Sequence, residues 1–220
     1  MIGQVYELQA VFFDLDGTLV DSAPDLVVAM QRLRAELGET PVDVTAIGQV
    51  VSKGGRAMLR RGFADADDAR IELLLPRFLD LYAEAIATHT RLYAGMDDVL
   101  GALETAGLRW GVVTNKPGWL ARSLIAAISL DRRCAALVSG DCLPQRKPDP
   151  APLHAAILRA GGGRAAYVGD STTDTDTARA AGIPCVAVTF GFADRPPEEL
   201  GATALIDHFD QLIPTLRRLA

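Results

Sequence analysis

The stretch Ala10-Val11-Phe12-Phe13-Asp14-Leu15-Asp16-Gly17-Thr18 decides the fold. Its first four residues are an unbroken apolar run, the pattern of a short strand buried on both faces in a parallel sheet. The run stops at two aspartates spaced two apart, followed by a glycine that permits a sharp turn. Residues two apart in an extended segment face the same side. Two carboxylates placed this way repel unless a cation lies between them or one keeps a proton. Either remedy serves chemistry, because Mg²⁺ prefers oxygen ligands and a protonated carboxyl can act as a general acid. The plainer reading is a strand-end turn, where Asp and Gly are common.

The same pattern recurs further along the chain. Trp110-Gly111-Val112-Val113 ends at Thr114-Asn115, Ala165-Ala166-Tyr167-Val168 at Gly169-Asp170, and Cys185-Val186-Ala187-Val188 at Thr189, while Ala136-Leu137-Val138 forms another short strand pattern. Helical periodicity falls over residues 97–106, 150–160, 172–181 and 209–219. This alternation predicts an α/β fold, a Rossmann-like parallel sheet with helices on both faces. Residues 21–92 break it. A helix capped by Asp21 or Ser22, with Pro24 in its first turn, places Leu26, Met30, Leu33 and Leu37 on one face and ends at Gly38. A second helical pattern has Ile71, Leu74, Leu75, Phe78, Leu81 and Tyr82, with Pro76 kinking it or marking its start. No strand is expected here, so the segment reads as a small all-helical insertion after the first strand. The expected division is residues 1–20 and 93–220 as a core domain and 21–92 as a helical cap.

A chain of 220 residues suits one globular domain, or a core with one modest insertion. The net charge of −6 gives no general attraction for nucleic acid or an anionic membrane, so a site for an anion must supply its own positive charge. Cys134, Cys142 and Cys185 are odd in number and lack metal-ligand spacing, which points to a reducing, cytoplasmic setting. The first residues, with Glu7 among them, show no basic region leading into an apolar run, and no leader peptide is expected. No apolar stretch approaches the ~20 residues of a membrane span.

Polar clusters follow the strand-like runs, and ligands of open parallel sheets bind outside the carboxyl ends of the strands. Thr114-Asn115 offers a hydroxyl and backbone N–H groups for phosphoryl oxygens, although a turn or helix cap explains it equally. Lys147-Pro148-Asp149-Pro150 sets an ammonium on a stiffened loop before a helix. Gly169-Asp170-Ser171-Thr172-Thr173-Asp174 offers Asp170 as a metal ligand and Asp174, four residues on, as support for the metal or for Lys147.

Taken in order, Asp14-x-Asp16-Gly17-Thr18, Thr114-Asn115, Lys147-Pro148 and Gly169-Asp170-x-x-x-Asp174 resemble the four motifs of the haloacid dehalogenase superfamily, over nearly the whole chain. Val20-Asp21-Ser22 and Ala178-Arg179-Ala180-Ala181-Gly182 add to the likeness. The chain looks most like the phosphoglycolate phosphatase group, and Gly111-Val112-Val113-Thr114-Asn115-Lys116-Pro117 also resembles N-acetylmuramic acid 6-phosphate phosphatases. The resemblance implies a Mg²⁺-dependent phosphomonoesterase acting on a small phosphorylated metabolite through an aspartyl phosphate. It makes Asp14 the nucleophile and Asp16 the acid and base. Thr114, Asn115 and Lys147 would hold phosphate. Asp14, the Asp16 carbonyl and Asp170 would hold Mg²⁺, with Asp174 behind them.

The implied substrate is 2-phosphoglycolate first, with N-acetylmuramic acid 6-phosphate or another sugar phosphate as the alternative. A phosphomutase and a non-catalytic phosphate-binding regulator follow. Asp16 separates the chain from dehalogenases and from phosphonate-cleaving members, which lack that acid. Neither nucleic acid nor membrane is an expected partner, and the chain is expected to be a monomer or weak dimer. Ser52-Lys53-Gly54-Gly55-Arg56 reads as a polar loop of the cap, with Lys53 and Arg56 as candidates for substrate selection. His89 reads as a structural residue at the junction of cap and core, Trp110 as a strand residue packing on the sheet, and Lys116 as a surface lysine.

Overall fold

The computed structural model describes residues 8–48 and 50–219. The leader expectation, which concerns residues 1–7, lies outside them. In chain order the elements are β1 (Ala10–Phe13), β2 (Val20–Asp21), α1 (Ala23–Glu36), α2 (Val44–Gly48), α3 (Gly54–Gly62), α4 (Asp68–Ala83), β3 (Arg91–Leu92), α5 (Met96–Thr105), β4 (Arg109–Val113), α6 (Gly118–Ala127), β5 (Ala136–Val138), α7 (Ala151–Arg159), β6 (Ala165–Gly169), α8 (Thr172–Ala181), β7 (Cys185–Val188), β8 (Ala204–Ile206) and α9 (Leu212–Leu219). Six strands form one sheet in the order β5-β4-β1-β6-β7-β8, and every pairing within it is parallel.

β1 lies between β4 and β6, which accounts for its unbroken apolar run. Its alternate residues serve different cores. Val11 and Phe13 join Leu100 of α5, Leu124 of α6 and Leu216 of α9 on one face. Ala10 and Phe12 join Leu153 and Ala156 of α7 and Ala178 of α8 on the other. The expected sheet with helices on both faces is therefore present. Trp110 is buried in β4, as expected, and its indole N–H donates to Glu104.

α1–α4 form a helical layer with its own core, in which Met30 and Leu33 of α1 meet Met58 and Leu59 of α3 and Phe78 and Leu81 of α4. Several local expectations need correction here. The segment is not free of strands, since Val20–Asp21 and Arg91–Leu92 pair antiparallel at its two ends. A two-residue strand is too short to carry periodicity. Asp21 accepts the Ala23 N–H, but the Ser22 hydroxyl turns to Asp16 instead of capping α1. Gly38 takes a left-handed conformation just past α1, as a helix stop should. Pro76 lies inside a continuous α4. Residues Gly54, Gly55 and Arg56 are not in a loop but open α3, after a 3₁₀ turn over Val51–Lys53.

The helical layer is fastened to the strand that follows it. Asp25 of α1 is 2% exposed and accepts the backbone N–H groups of His89 and Thr90 and the Thr90 hydroxyl. His89 thus contributes its main chain to the junction.

Candidate active site

Asp14, Thr114 and Asp170 each directly follow the last residue of a parallel strand, β1, β4 and β6 respectively. Since β4, β1 and β6 are adjacent, the three residues are neighbours at one edge of the sheet although 156 positions separate the first from the last. Lys147 reaches the same place from the segment before α7. Its ammonium lies 2.9 Å from Asp14 Oδ1, 2.7 Å from Asp174 Oδ1 and 2.9 Å from the Tyr167 hydroxyl. Burial works to discharge it, but the two carboxylates prevail and hold its pKa above the ordinary lysine value.

Asp174 lies in the first turn of α8. One oxygen meets Lys147 and the Tyr167 hydroxyl. The other accepts the N–H groups of Asp170 and Ser171 and the Ser171 hydroxyl. Despite burial, Lys147 and these hydrogen bonds keep its carboxyl below the usual range. Asp174 is at once a helix-capping group and the brace that positions Lys147.

Asp14 and Asp170 are different. Burial raises the Asp14 carboxyl to about 7, against the pull of Lys147 and with repulsion from Asp174 and Asp16. Burial, followed by repulsion from Asp174 and Asp14, raises Asp170 well above the usual carboxylate value. One oxygen of Asp170 accepts from the Thr18 hydroxyl and the other from the Phe192 N–H, at 2.5 Å. Oxygens of Asp14, Asp170 and Asp174 all lie within 4.8 Å of one another. Three crowded carboxylates facing one lysine form a hard-oxygen donor set with surplus negative charge, which suits a small divalent cation. Gly17 is required beside it. Its φ is +86°, and a Cβ there would lie 2.1 Å from Asp170 Oδ2.

The Asp16 carboxylate points elsewhere. Its Oδ1 accepts from Ser22 Oγ at 2.5 Å and from Lys116 Nζ at 2.9 Å, while its Oδ2 is 3.1 Å from the same ammonium. Lys116 is therefore not a surface residue. It is buried, with its ammonium 4.4 Å from the centre of the Tyr82 ring. Asp16 outweighs burial and raises its pKa, so this lysine also stays charged.

Thr114 Oγ1 accepts the Lys116 N–H, and the Asn115 amide donates to the Lys147 carbonyl, tying two of the expected motifs together. A cleft of about 390 Å³ opens between this site and the helical layer. Among the described residues its walls carry the cations Lys53, Arg56, Lys116, Arg146 and Lys147 against the carboxylates Asp14 and Asp16. The local positive charge that an acidic chain needs for an anion is thus present. Arg56 is half-exposed and engages Glu72 through two hydrogen bonds, of 2.5 and 2.8 Å.

Residues 11–188 match the family model described as haloacid dehalogenase-like hydrolase. The chain belongs to that family. It is 42% identical over 208 residues to the phosphoglycolate phosphatase of Xanthomonas campestris pv. campestris, covering 93% of this chain and 94% of that one. It is 40% identical over 216 residues to the N-acetylmuramic acid 6-phosphate phosphatase of Pseudomonas aeruginosa, covering 96% of each. A crystal structure of a predicted phosphoglycolate phosphatase from Haemophilus somnus 129pt superposes with a TM-score of 0.87 at 25% identity, over 96% of this chain and 99% of that one. A family of hydrolases fits a partly buried carboxylate facing a cationic cleft. Sequence reasoning missed Lys116, Ser22, Tyr167 and Phe192, because each is tied to the site by a partner distant in sequence or by a hydroxyl read as serving something else.

Proposed function

We propose that this protein is a Mg²⁺-dependent phosphomonoesterase in which Asp14 attacks phosphorus and carries the phosphoryl group as an aspartyl phosphate. The observation that carries this reading is Lys147, held between Asp14 at the end of β1 and Asp174 in the first turn of α8. A carboxylate nucleophile facing a phosphate dianion meets repulsion, and Lys147 reduces it while stabilising charge on the group in transfer. Thr114 and the Asn115 backbone hold phosphoryl oxygens. Asp14, Asp170 and the Asp16 carbonyl hold Mg²⁺, which when bound neutralises charge on those oxygens. Asp16 protonates the leaving oxygen and then takes a proton from the water that hydrolyses the aspartyl phosphate. Lys116 and Ser22 set where its carboxylate rests. Asp174 acts through Lys147.

Residues 21–92 serve as a cap over a core of residues 1–20 and 93–220, and Lys53 and Arg56 on its inner wall select substrate. The favoured substrate is 2-phosphoglycolate, with N-acetylmuramic acid 6-phosphate as the alternative. The cleft of about 390 Å³ has room for about a dozen waters. No helix among the described residues is long and apolar enough to cross a membrane, and the three cysteines are free. We place the enzyme in the cytoplasm, as a monomer or weak dimer.

The test is phosphate release from 2-phosphoglycolate, N-acetylmuramic acid 6-phosphate and several sugar phosphates, with Mg²⁺ and with EDTA. One substrate far ahead in kcat/KM, with activity lost in EDTA, is the expected result. No release from any of them refutes the reading.

A further inference from the structure

The segment that follows β7 lies against the carboxylate cluster. Its Gly191 fits there only because it lacks a side chain, since a Cβ would lie 2.3 Å from the Gly17 carbonyl oxygen and 2.4 Å from Asp170 Cβ. The next residue, Phe192, gives its N–H to Asp170 Oδ2 at 2.5 Å, while its ring packs against the apolar core of the helical layer. With the Thr18 hydroxyl on Oδ1, this bond fixes how Asp170 presents its oxygens. Yet among the described residues the segment 190–195 makes no backbone–backbone hydrogen bond. A side chain must therefore hold the Phe192 N–H in place.

Asp194 stands two residues further on. Its Oδ1 accepts the Thr172 N–H at 2.9 Å and its Oδ2 accepts the Thr172 hydroxyl at 2.6 Å. Thr172 opens α8, so the carboxylate also meets the end of the helix that favours negative charge. Burial raises the Asp194 carboxyl, but the Thr172 bonds outweigh it and hold it below the usual range. We propose that Asp194 is a positioning residue for Mg²⁺: it pins the segment 190–195 to α8, and the Phe192 N–H then holds Asp170 in the orientation that binds the ion. The inference rests on the reading above in which Asp170 holds Mg²⁺, and it adds a residue outside the cleft walls. A bond that orients a ligand before the ion arrives raises affinity, because less freedom is lost on binding.

The experiment is calorimetric titration of Mg²⁺ into the intact protein without substrate, for wild type, Asp194→Ala, Asp194→Asn and Thr172→Val, with Tm recorded in EDTA. Asp194→Ala should raise the Mg²⁺ Kd by about tenfold, the lower end of what losing a ligand's supporting bond costs. Thr172→Val removes one of the two bonds and should move Kd the same way by less. Asp194→Asn keeps an acceptor for Thr172 and should stay closer to wild type than Asp194→Ala. The Mg²⁺ concentration for half-maximal phosphate release should rise in step with Kd. A lowered Tm in EDTA with an unchanged Mg²⁺ Kd makes Asp194 an anchor of the fold alone and overturns the inference. If Asp194→Ala does not fold, Thr172→Val decides: a raised Kd supports the inference and an unchanged one overturns it. A wild type that binds no Mg²⁺ overturns it together with the metal assignment. A wild type that binds Mg²⁺ but releases no phosphate refutes the phosphatase reading, and the Kd comparison still decides the role of Asp194.

Discussion

Replacing Lys147 with methionine keeps the length of the side chain and removes the charge between Asp14 and Asp174. The carboxylates of Asp14, Asp170 and Asp174 then stand within 4.8 Å of one another without a cation. At an effective dielectric near 20, unit charges at that separation repel by about 3.5 kcal/mol. Removing one partner of a buried pair costs ~3–5 kcal/mol. Proton uptake limits the penalty, because burial has already raised Asp14 to about 7 and Asp170 well above the usual value. A deficit of about 2–4 kcal/mol at pH 8 follows, or about 4–16 °C in Tm for a chain of this size. Its pH dependence has a definite sign. Lys147 lowers both groups in the wild type, so its loss raises them further. A carboxyl whose folded pKa exceeds its unfolded value takes up a proton on folding, and stability falls as pH rises between the two values. The deficit should therefore be smallest near pH 5 and grow through pH 8. The assay is thermal unfolding of both proteins in EDTA at pH 5, 6, 7 and 8, repeated with Mg²⁺. Added Mg²⁺ should recover part of the loss at pH 8. A deficit that ignores both pH and Mg²⁺ would refute the electrostatic reasoning and leave only lost packing.

Other perturbations probe separate parts of the site. Lys116→Met removes the ammonium that holds Asp16 and should lower kcat by about tenfold to a hundredfold, since small misplacements of a catalytic group cost about that much; steady-state kinetics showing wild-type kcat would exclude Lys116 from the chemistry. Gly17→Ala drives a Cβ into Asp170 and strains a left-handed backbone, so calorimetry should find Mg²⁺ binding weakened more than tenfold, together with ~1–3 kcal/mol of lost stability. Arg56→Ala should raise KM for the true substrate with a smaller change in kcat, as when uniform binding is lost. An unchanged KM would leave Arg56 as a partner of Glu72 alone.

The sheet was legible because its central strands are covered on both faces and carry continuous apolar runs. β1 and β7 coincide with theirs, and the edge strand β5 coincides with its run of three. Ala204-Leu205-Ile206 escaped: β8 is as short as the other edge strand, β5, but less covered, with Ala204 half-buried and Leu205 exposed. α6, beginning directly after Pro117, was not anticipated either. The site was legible where chemistry needs several residue types in close sequence, as at Asp14–Thr18 and Gly169–Asp174. It was illegible where a side chain depends on a distant partner. Lysine is rarely buried, and nothing near Lys116 in sequence announces Asp16, 100 positions away. Ser22 carried a helix-cap signal that is real as a propensity, yet Asp16 takes its hydroxyl. Tyr82 fitted the apolar face of α4 through its ring, and nothing near it in sequence announces the Lys116 ammonium that its ring faces.

The most direct test of the nucleophile is phosphate release from 2-phosphoglycolate by Asp14→Asn, beside the wild type, at saturating Mg²⁺. The amide keeps the shape of the side chain and leaves Lys147 paired with Asp174, so the variant should stay folded. A loss of at least about a thousandfold in kcat is expected, the scale on which removing a covalent nucleophile acts. Turnover at a wild-type rate by the folded variant would contradict the assignment of Asp14 and the aspartyl phosphate with it.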